Sequence, residues 1–185
     1  SSPDHWQSRW ERAHGYNRVE QHDWMRPLRG DWSARLEDVL LSCDTERDGP
    51  AVLVAHSLGC MLIAAWAAHS RNTHRVKGAL LVAPPDVERD DVRQMLPGWA
   101  PVPARPLPFE SVVFYSRNDP SCDTERAPQC AAAWGSPLHA AGARGHRNPD
   151  SCLAGCAAVH AKPAPPTDTP PHTTPPTPRK RPAGG

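Results

Sequence analysis

Five consecutive residues, Ala55-His56-Ser57-Leu58-Gly59, carry the clearest chemical signal in the sequence. They have the form of a nucleophile elbow, GxSxG, with alanine in the first glycine place. A serine on such a strand-to-helix turn sits in strained backbone, and side chains two before and two after it must be small to clear the neighbouring chain. Ala55 and Gly59 meet that demand. The alternative, a buried serine that only caps the following helix, does not explain small residues on both sides. A serine hydroxyl attacks a carbonyl only when a base takes its proton, and the base needs an acid to orient it. Asp119 in Ser116-Arg117-Asn118-Asp119-Pro120 and His146 in Gly142-Ala143-Arg144-Gly145-His146 supply the two in the order serine, acid, histidine. The N–H of Leu58 opens the next helix, where unpaired donors and the helix dipole favour an oxyanion.

Each assignment has a rival. Asp119 precedes a proline and could serve only to start a turn. Asp86, after Ala83-Pro84-Pro85, is the second candidate acid, although Pro85-Asp86 also makes a helix start. Of the other histidines, His56 adjoins Ser57 and points elsewhere, His69 and His74 lie near a helix end, and His139 lies in a weak strand; the flanking glycines favour His146.

Apolar periodicity supplies the elements that must hold these groups. Ala51 to Ala55 is a continuous apolar run of strand length, the mark of a strand covered on both faces, and Leu58 to His69 is an almost wholly apolar helix. Val76 to Ala83 and Ser111 to Ser116 read as further buried strands, and Leu138 to Ala141 as a weak last one. Helices are expected over about 3–13, from Asp31-Trp32 with Leu36, Val39 and Leu40 on one face, as a short turn after Asp86, and between Asp123 and Trp134; Tyr16 to Gln21 reads as a short strand. Strands alternating with helices imply a parallel sheet built from crossovers. Pro97 to Pro108 is too proline-rich for either element and reads as an excursion over the surface.

The chain has 185 residues, 38% of them hydrophobic, which supports one modest core. A net charge of +1 gives no pull toward nucleic acid or an anionic membrane. No apolar run reaches the length of a membrane span and no secretory signal is evident, so a cytoplasmic protein is expected. The six cysteines show no CxxC pair and read as free thiols. Proline is the outlier at 23 residues, nine of them between Pro163 and Pro182. The expected division is a catalytic domain over 1–160 and a Pro/Thr-rich, disordered tail over 161–185, ending in the basic cluster Arg179-Lys180-Arg181.

Five separated motifs then come in order: His5-Trp6-Gln7-x-x-Trp10, Val19-Glu20-Gln21-x-Asp23-Trp24, His56-Ser57-Leu58-Gly59, Ser116-x-Asn118-Asp119-Pro120 and Gly145-His146-x-Asn148. Over about residues 1–148 the chain resembles the α/β-hydrolase family named for a retinoblastoma-binding protein, which bacteria also carry as small serine hydrolases. The resemblance implies a three-layer α/β/α sandwich with a mainly parallel sheet, without a large lid. It puts Ser57, Asp119 and His146 in the triad positions and implies esterase-like activity on small acyl substrates, with no cofactor and no metal. Family members have a buried strand and a glycine-containing loop before the His-Trp motif, the loop supplying a second oxyanion donor. Here the chain starts at Ser1, so that first strand and the second donor are expected to be missing or to lie upstream.

Other functions have weaker support. A catalytically weak scaffold acting as a binding module would use Pro175-x-x-Pro178-x-Lys180 as a polyproline ligand, a pattern that arises by chance in such tracts. Leu41-x-Cys43 with Glu46 misses the LxCxE spacing of retinoblastoma-pocket ligands by one residue, so that partner is not carried over and the protein partner stays unknown. Cys152-x-x-x-Cys156 with His146 and His160 is a loose zinc pattern, and no phosphate-binding glycine loop is present. Ser-Cys-Asp-Thr-Glu-Arg occurs at Ser42–Arg47 and again at Ser121–Arg126, in different contexts.

Overall fold

The computed structural model describes residues 6–116, 125–140 and 159–163. Along the chain run α1 (Trp6–His14), β1 (Asn17–Arg18), α2 (Arg29–Ser42), α3 (Thr45–Asp48), β2 (Ala51–His56) and α4 (Leu58–His69). A 3-10 turn, Thr73–Arg75, leads to β3 (Val76–Val82), α5 (Asp90–Met95), β4 (Glu110–Tyr115), α6 (Arg126–Trp134), β5 (Leu138–Ala140) and β6 (Val159–Pro163). The strands form one sheet in the order β1-β6-β2-β3-β4-β5. β2, β3, β4 and β5 pair in parallel, with Leu53 opposite Ala79, Leu80 opposite Val112 and Val113 opposite Leu138.

The layers follow from strand alternation. Arg18 of β1 bonds Ser8 and Glu11 of α1. The next residue, Val19, points the other way and is buried in the cluster that holds Trp32, Leu36 and Leu40 of α2. α1 and α2 therefore cover opposite faces. Every crossover from β1 to β5 advances the same way across the sheet, and right-handed connections put α4 and α6 on the α2 face. Leu53, Ala55, Ala79, Leu81 and Val113 fill that side of the core, giving the three-layer α/β/α sandwich.

α4 is apolar all round because it is covered all round: every residue from Leu58 to Trp66 is buried. α2 walls one flank. The proline-rich segment 97–109 forms the outer cover, so it is more than a surface excursion. Trp99 is 1% exposed. Its indole N–H donates to Pro27 O at 2.7 Å, and its ring meets Trp32 edge-on at 5.5 Å. Trp134 Nε1 donates to Pro103 O and Trp66 stacks on Phe109, pinning the same segment farther along. At the far end of α4, Glu37 of α2 accepts from Trp66 Nε1, from Ser70 Oγ at 2.8 Å and from Asn72 Nδ2 at 2.7 Å.

The sheet departs from the sequence reading in the place beside β2. The position between β1 and β2 is filled by β6, antiparallel to both, with Leu53 opposite Ala161 and Asn17 opposite Ala161 on the other edge. β6 also runs across the expected boundary at residue 160, pairing Lys162 and Pro163 with Val52 and Ala51. Smaller shifts concern element ends. α2 begins at Arg29, β1 is shorter than Tyr16 to Gln21, and α5 begins at Asp90 rather than after Asp86. α3 was not expected; Asp44 caps it by accepting from Arg47 N at 3.1 Å. The first hexapeptide copy thus opens α3, while the described end of the second, Glu125 and Arg126, opens α6. Among the described residues no helix is long and apolar enough to cross a membrane.

Candidate active site

Ser57 joins β2 to α4 with φ 53° and ψ −124°, a conformation open to glycine but strained for a residue with a Cβ. The turn is held from below. Ser57 N–H donates to Val82 O at 2.9 Å, and Ser57 O accepts from Cys60 N at 2.9 Å as α4 starts. Cys60 is buried and points its thiol at Val82 O, 3.4 Å away. The Ser57 side chain makes no capping bond to α4, so the capping alternative does not account for the serine. Ala55 is wholly buried and Gly59 is buried within α4, consistent with the crowding that asks for small residues there.

Beside this turn, β3 is followed by a second strained residue, Ala83 at φ 52°, whose N–H donates to Phe114 O at 2.7 Å. The exits of β2, β3 and β4 are thereby hydrogen-bonded side by side at the carboxyl end of the sheet, where open α/β sheets build their sites. Leu58 is the first residue of α4, so its N–H has no partner four residues back within the helix.

Asp119 and His146 lie outside the described residues. Their flanking elements are described: β4 ends at Tyr115 and α6 begins at Arg126 on either side of Asp119, and β5 ends at Ala140 before His146. The rival acid is engaged elsewhere. Asp86 Oδ1 accepts from Glu88 N at 3.1 Å and lies 3.5 Å from Arg126 Nε. His56 is 2% exposed and alternates with Ala55, on the α1 side of the sheet. His69 Nδ1 is hydrogen-bonded to Ala65 O at the end of α4 remote from Ser57, and His139 stacks on Phe114 at 5.1 Å. Cys152, Cys156 and His146 of the loose zinc pattern are also outside the described residues, and among those described no cluster of His, Cys, Asp and Glu could hold a metal.

Sequence reasoning missed a charged node near the site. Arg126 Nη2 lies 3.1 Å from Glu88 Oε1, and that same oxygen accepts from Val102 N at 3.0 Å. The bond from Val102 N and the nearby Arg126 charge hold the Glu88 carboxyl below its ordinary pKa despite partial burial. Burial works against the Arg126 charge, while the Glu88 and Asp86 carboxylates beside it raise the guanidinium above its ordinary pKa. Arg126 ends the repeated hexapeptide, a sequence feature that marked it without showing what it meets.

A YdeN-like hydrolase from Pectobacterium atrosepticum is similar in structure, with a TM-score of 0.65 and 29% identity over 79% of this chain and 73% of that one. The ydeN gene product of B. subtilis aligns at 20% identity over 65% of each chain, with a TM-score of 0.49. The esterase domain of a Rhodothermus marinus protein aligns at 16% identity, a TM-score of 0.45, and 66% of this chain against 62% of that one. No curated protein matches the chain. The serine hydrolase family model matches residues 1–160, the span that carries the β2–Ser57–α4 turn and the sheet around it, and the chain belongs to that family.

Proposed function

We propose that the protein is a serine esterase that cleaves small esters or related acyl substrates through an acyl-enzyme. The observation that carries this reading is the strained Ser57 turn, with no capping role for the side chain, at the carboxyl end of β2. Ser57 Oγ attacks the acyl carbonyl while His146 takes its proton. Asp119 holds the imidazole in the required tautomer and stabilises its cationic form. The carbonyl oxygen, now an alkoxide, is stabilised by the Leu58 N–H at the start of α4. His146 returns the proton to the departing alkoxide, leaving the acyl group on Ser57. Water, deprotonated by His146, then attacks the acyl-enzyme and frees the acid and the serine.

A fluorophosphonate probe tests this directly. The full chain is expected to be labelled on Ser57 and to hydrolyse p-nitrophenyl acetate, and Ser57→Ala to lose both. A folded protein with no Ser57-dependent labelling or turnover would overturn the proposal. Asp119→Asn is expected to lose most of the turnover while keeping the fold, because the imidazole is then held in the wrong tautomer.

A further inference from the structure

A single peptide group, Val82–Ala83, ties the nucleophile turn to the rest of the sheet. Its carbonyl, Val82 O, accepts from Ser57 N at 2.9 Å, and its N–H, on Ala83, donates to Phe114 O at 2.7 Å. A carbonyl oxygen has two lone pairs, and the second one on Val82 O faces a thiol. Cys60 Sγ lies 3.4 Å from Val82 O and 3.8 Å from Ala55 O on the neighbouring strand, so the nearer acceptor is the carbonyl that already holds Ser57. Cys60 also meets the turn from its other side, where its N–H donates to Ser57 O at 2.9 Å. One residue in the first turn of α4 therefore holds Ser57 O directly and shares the oxygen that holds Ser57 N. Cys60 is wholly buried, so water does not stand in for its thiol.

The geometry points to Cys60 as a positioning residue for the Ser57 nucleophile, acting through Val82 O. The inference rests on the esterase reading above, since it gives Ser57 its place in the reaction. Cys60 is closed off from substrate and takes no part in bond making; it sets the direction of the carbonyl on which Ser57 N–H hangs. That matters because the Ser57 backbone is strained, and a strained turn keeps its shape only while the contacts around it over-determine it. A small loss of direction at Ser57 N carries over to Oγ, whose aim at the acyl carbon decides how often a bound substrate reacts. A thiol suits the place: it packs as a small apolar group among buried neighbours and still offers one weak donor. A cysteine that only filled space would leave the same turn after replacement by any side chain of similar bulk, with or without a donor.

The test uses the full chain with Cys60→Ala and Cys60→Ser, measuring kcat and KM for p-nitrophenyl acetate together with thermal unfolding. Both replacements underfill the site, and only serine keeps a donor. Loss of one weak hydrogen bond that acts on the nucleophile predicts a fall in kcat of about three- to tenfold in Cys60→Ala with KM within about twofold. Cys60→Ser is expected to recover most of that loss, even where its unfolding midpoint is no higher than that of Cys60→Ala. A Cys60→Ala enzyme with kcat within about twofold of wild type would overturn the inference, as would Cys60→Ser no faster than Cys60→Ala. Should Cys60→Ala fail to fold, Cys60→Thr against Cys60→Val puts the same question, because the two side chains share a shape and differ in the hydroxyl; threonine no faster than valine overturns the role. A wild-type protein that does not react through Ser57 refutes the esterase reading instead, and the positioning role is then decided by the exchange rate of the Ser57 amide hydrogen in nuclear magnetic resonance. Exchange several-fold faster in Cys60→Ala and restored in Cys60→Ser supports it, and a rate that follows neither variant overturns it independently of catalysis.

Discussion

The backbone at Ser57 allows a test that needs no substrate. At φ 53° and ψ −124° a Cβ is held where only glycine sits freely, a strain of about 1–3 kcal/mol for serine or alanine alike. Ser57→Gly removes the Cβ and the strain; Ser57→Ala removes the hydroxyl and keeps the strain. Glycine also widens the unfolded ensemble, which takes back about 0.4–1 kcal/mol. The difference leaves Ser57→Gly more stable than Ser57→Ala by up to about 2.6 kcal/mol. In a chain of this size each 1 kcal/mol corresponds to about 2–4 °C in the unfolding midpoint. Both variants lack the nucleophile, so the comparison isolates the backbone. Urea and thermal unfolding followed by far-ultraviolet circular dichroism would measure it. Glycine less stable than alanine would refute the argument, because Ser57 would then carry no strain of an elbow apex.

Other consequences are checked by standard measurements. Trp99→Ala empties a fully buried site over α4 and is expected to lower stability by about 3–5 kcal/mol, read from urea unfolding; a loss under about 1 kcal/mol would contradict the covering role of segment 97–109. Burial pushes the Glu37 carboxyl up, but the bonds from Asn72, Trp66 and Ser70 and the charge of Arg75 prevail and hold it below its ordinary 4.5. The folded state then binds fewer protons than the unfolded chain, so this stabilisation is full above about pH 4.5 and drains as the pH falls through the lowered value; Glu37→Gln should flatten the acid limb of a stability–pH curve there. Cys130, pushed to about 11 by burial, is expected to resist iodoacetamide at pH 8 in the folded protein and to react on unfolding, as peptide mass spectrometry would show.

What could be read from the sequence depended on whether a local rule decided the outcome. The small residues around Ser57 reflect a clash within five positions, so the turn was legible there. The continuous apolar run of β2 and the all-apolar α4 were legible because burial on every side removes polar positions. Trp99 was not, since proline density describes backbone conformation and is silent on where one indole goes. The Arg126–Glu88 contact joins residues far apart in the chain, and neither bears a mark of its partner. β6 was the least legible element: Val-His-Ala-Lys-Pro alternates apolar and polar residues but is short and ends in a proline, and its partners β1 and β2 lie far back in the chain.

That placement bears on how the protein comes to be folded. Asn17 pairs with Ala161, and Ala51 with Pro163, so the strand beside the nucleophile strand is supplied from farther along the chain than the other described strands. β6 supplies the partner for the facing edges of β1 and β2, and an edge without its partner invites pairing with another chain. Closing contacts across so much intervening chain is slow relative to the local β2–α4–β3 unit, which has its partners close at hand. The elbow can therefore form from neighbours in the chain, while the β1–β6–β2 pairing waits on distant residues, and yield in the cell should respond more to changes in residues 159–163 than to changes within α4.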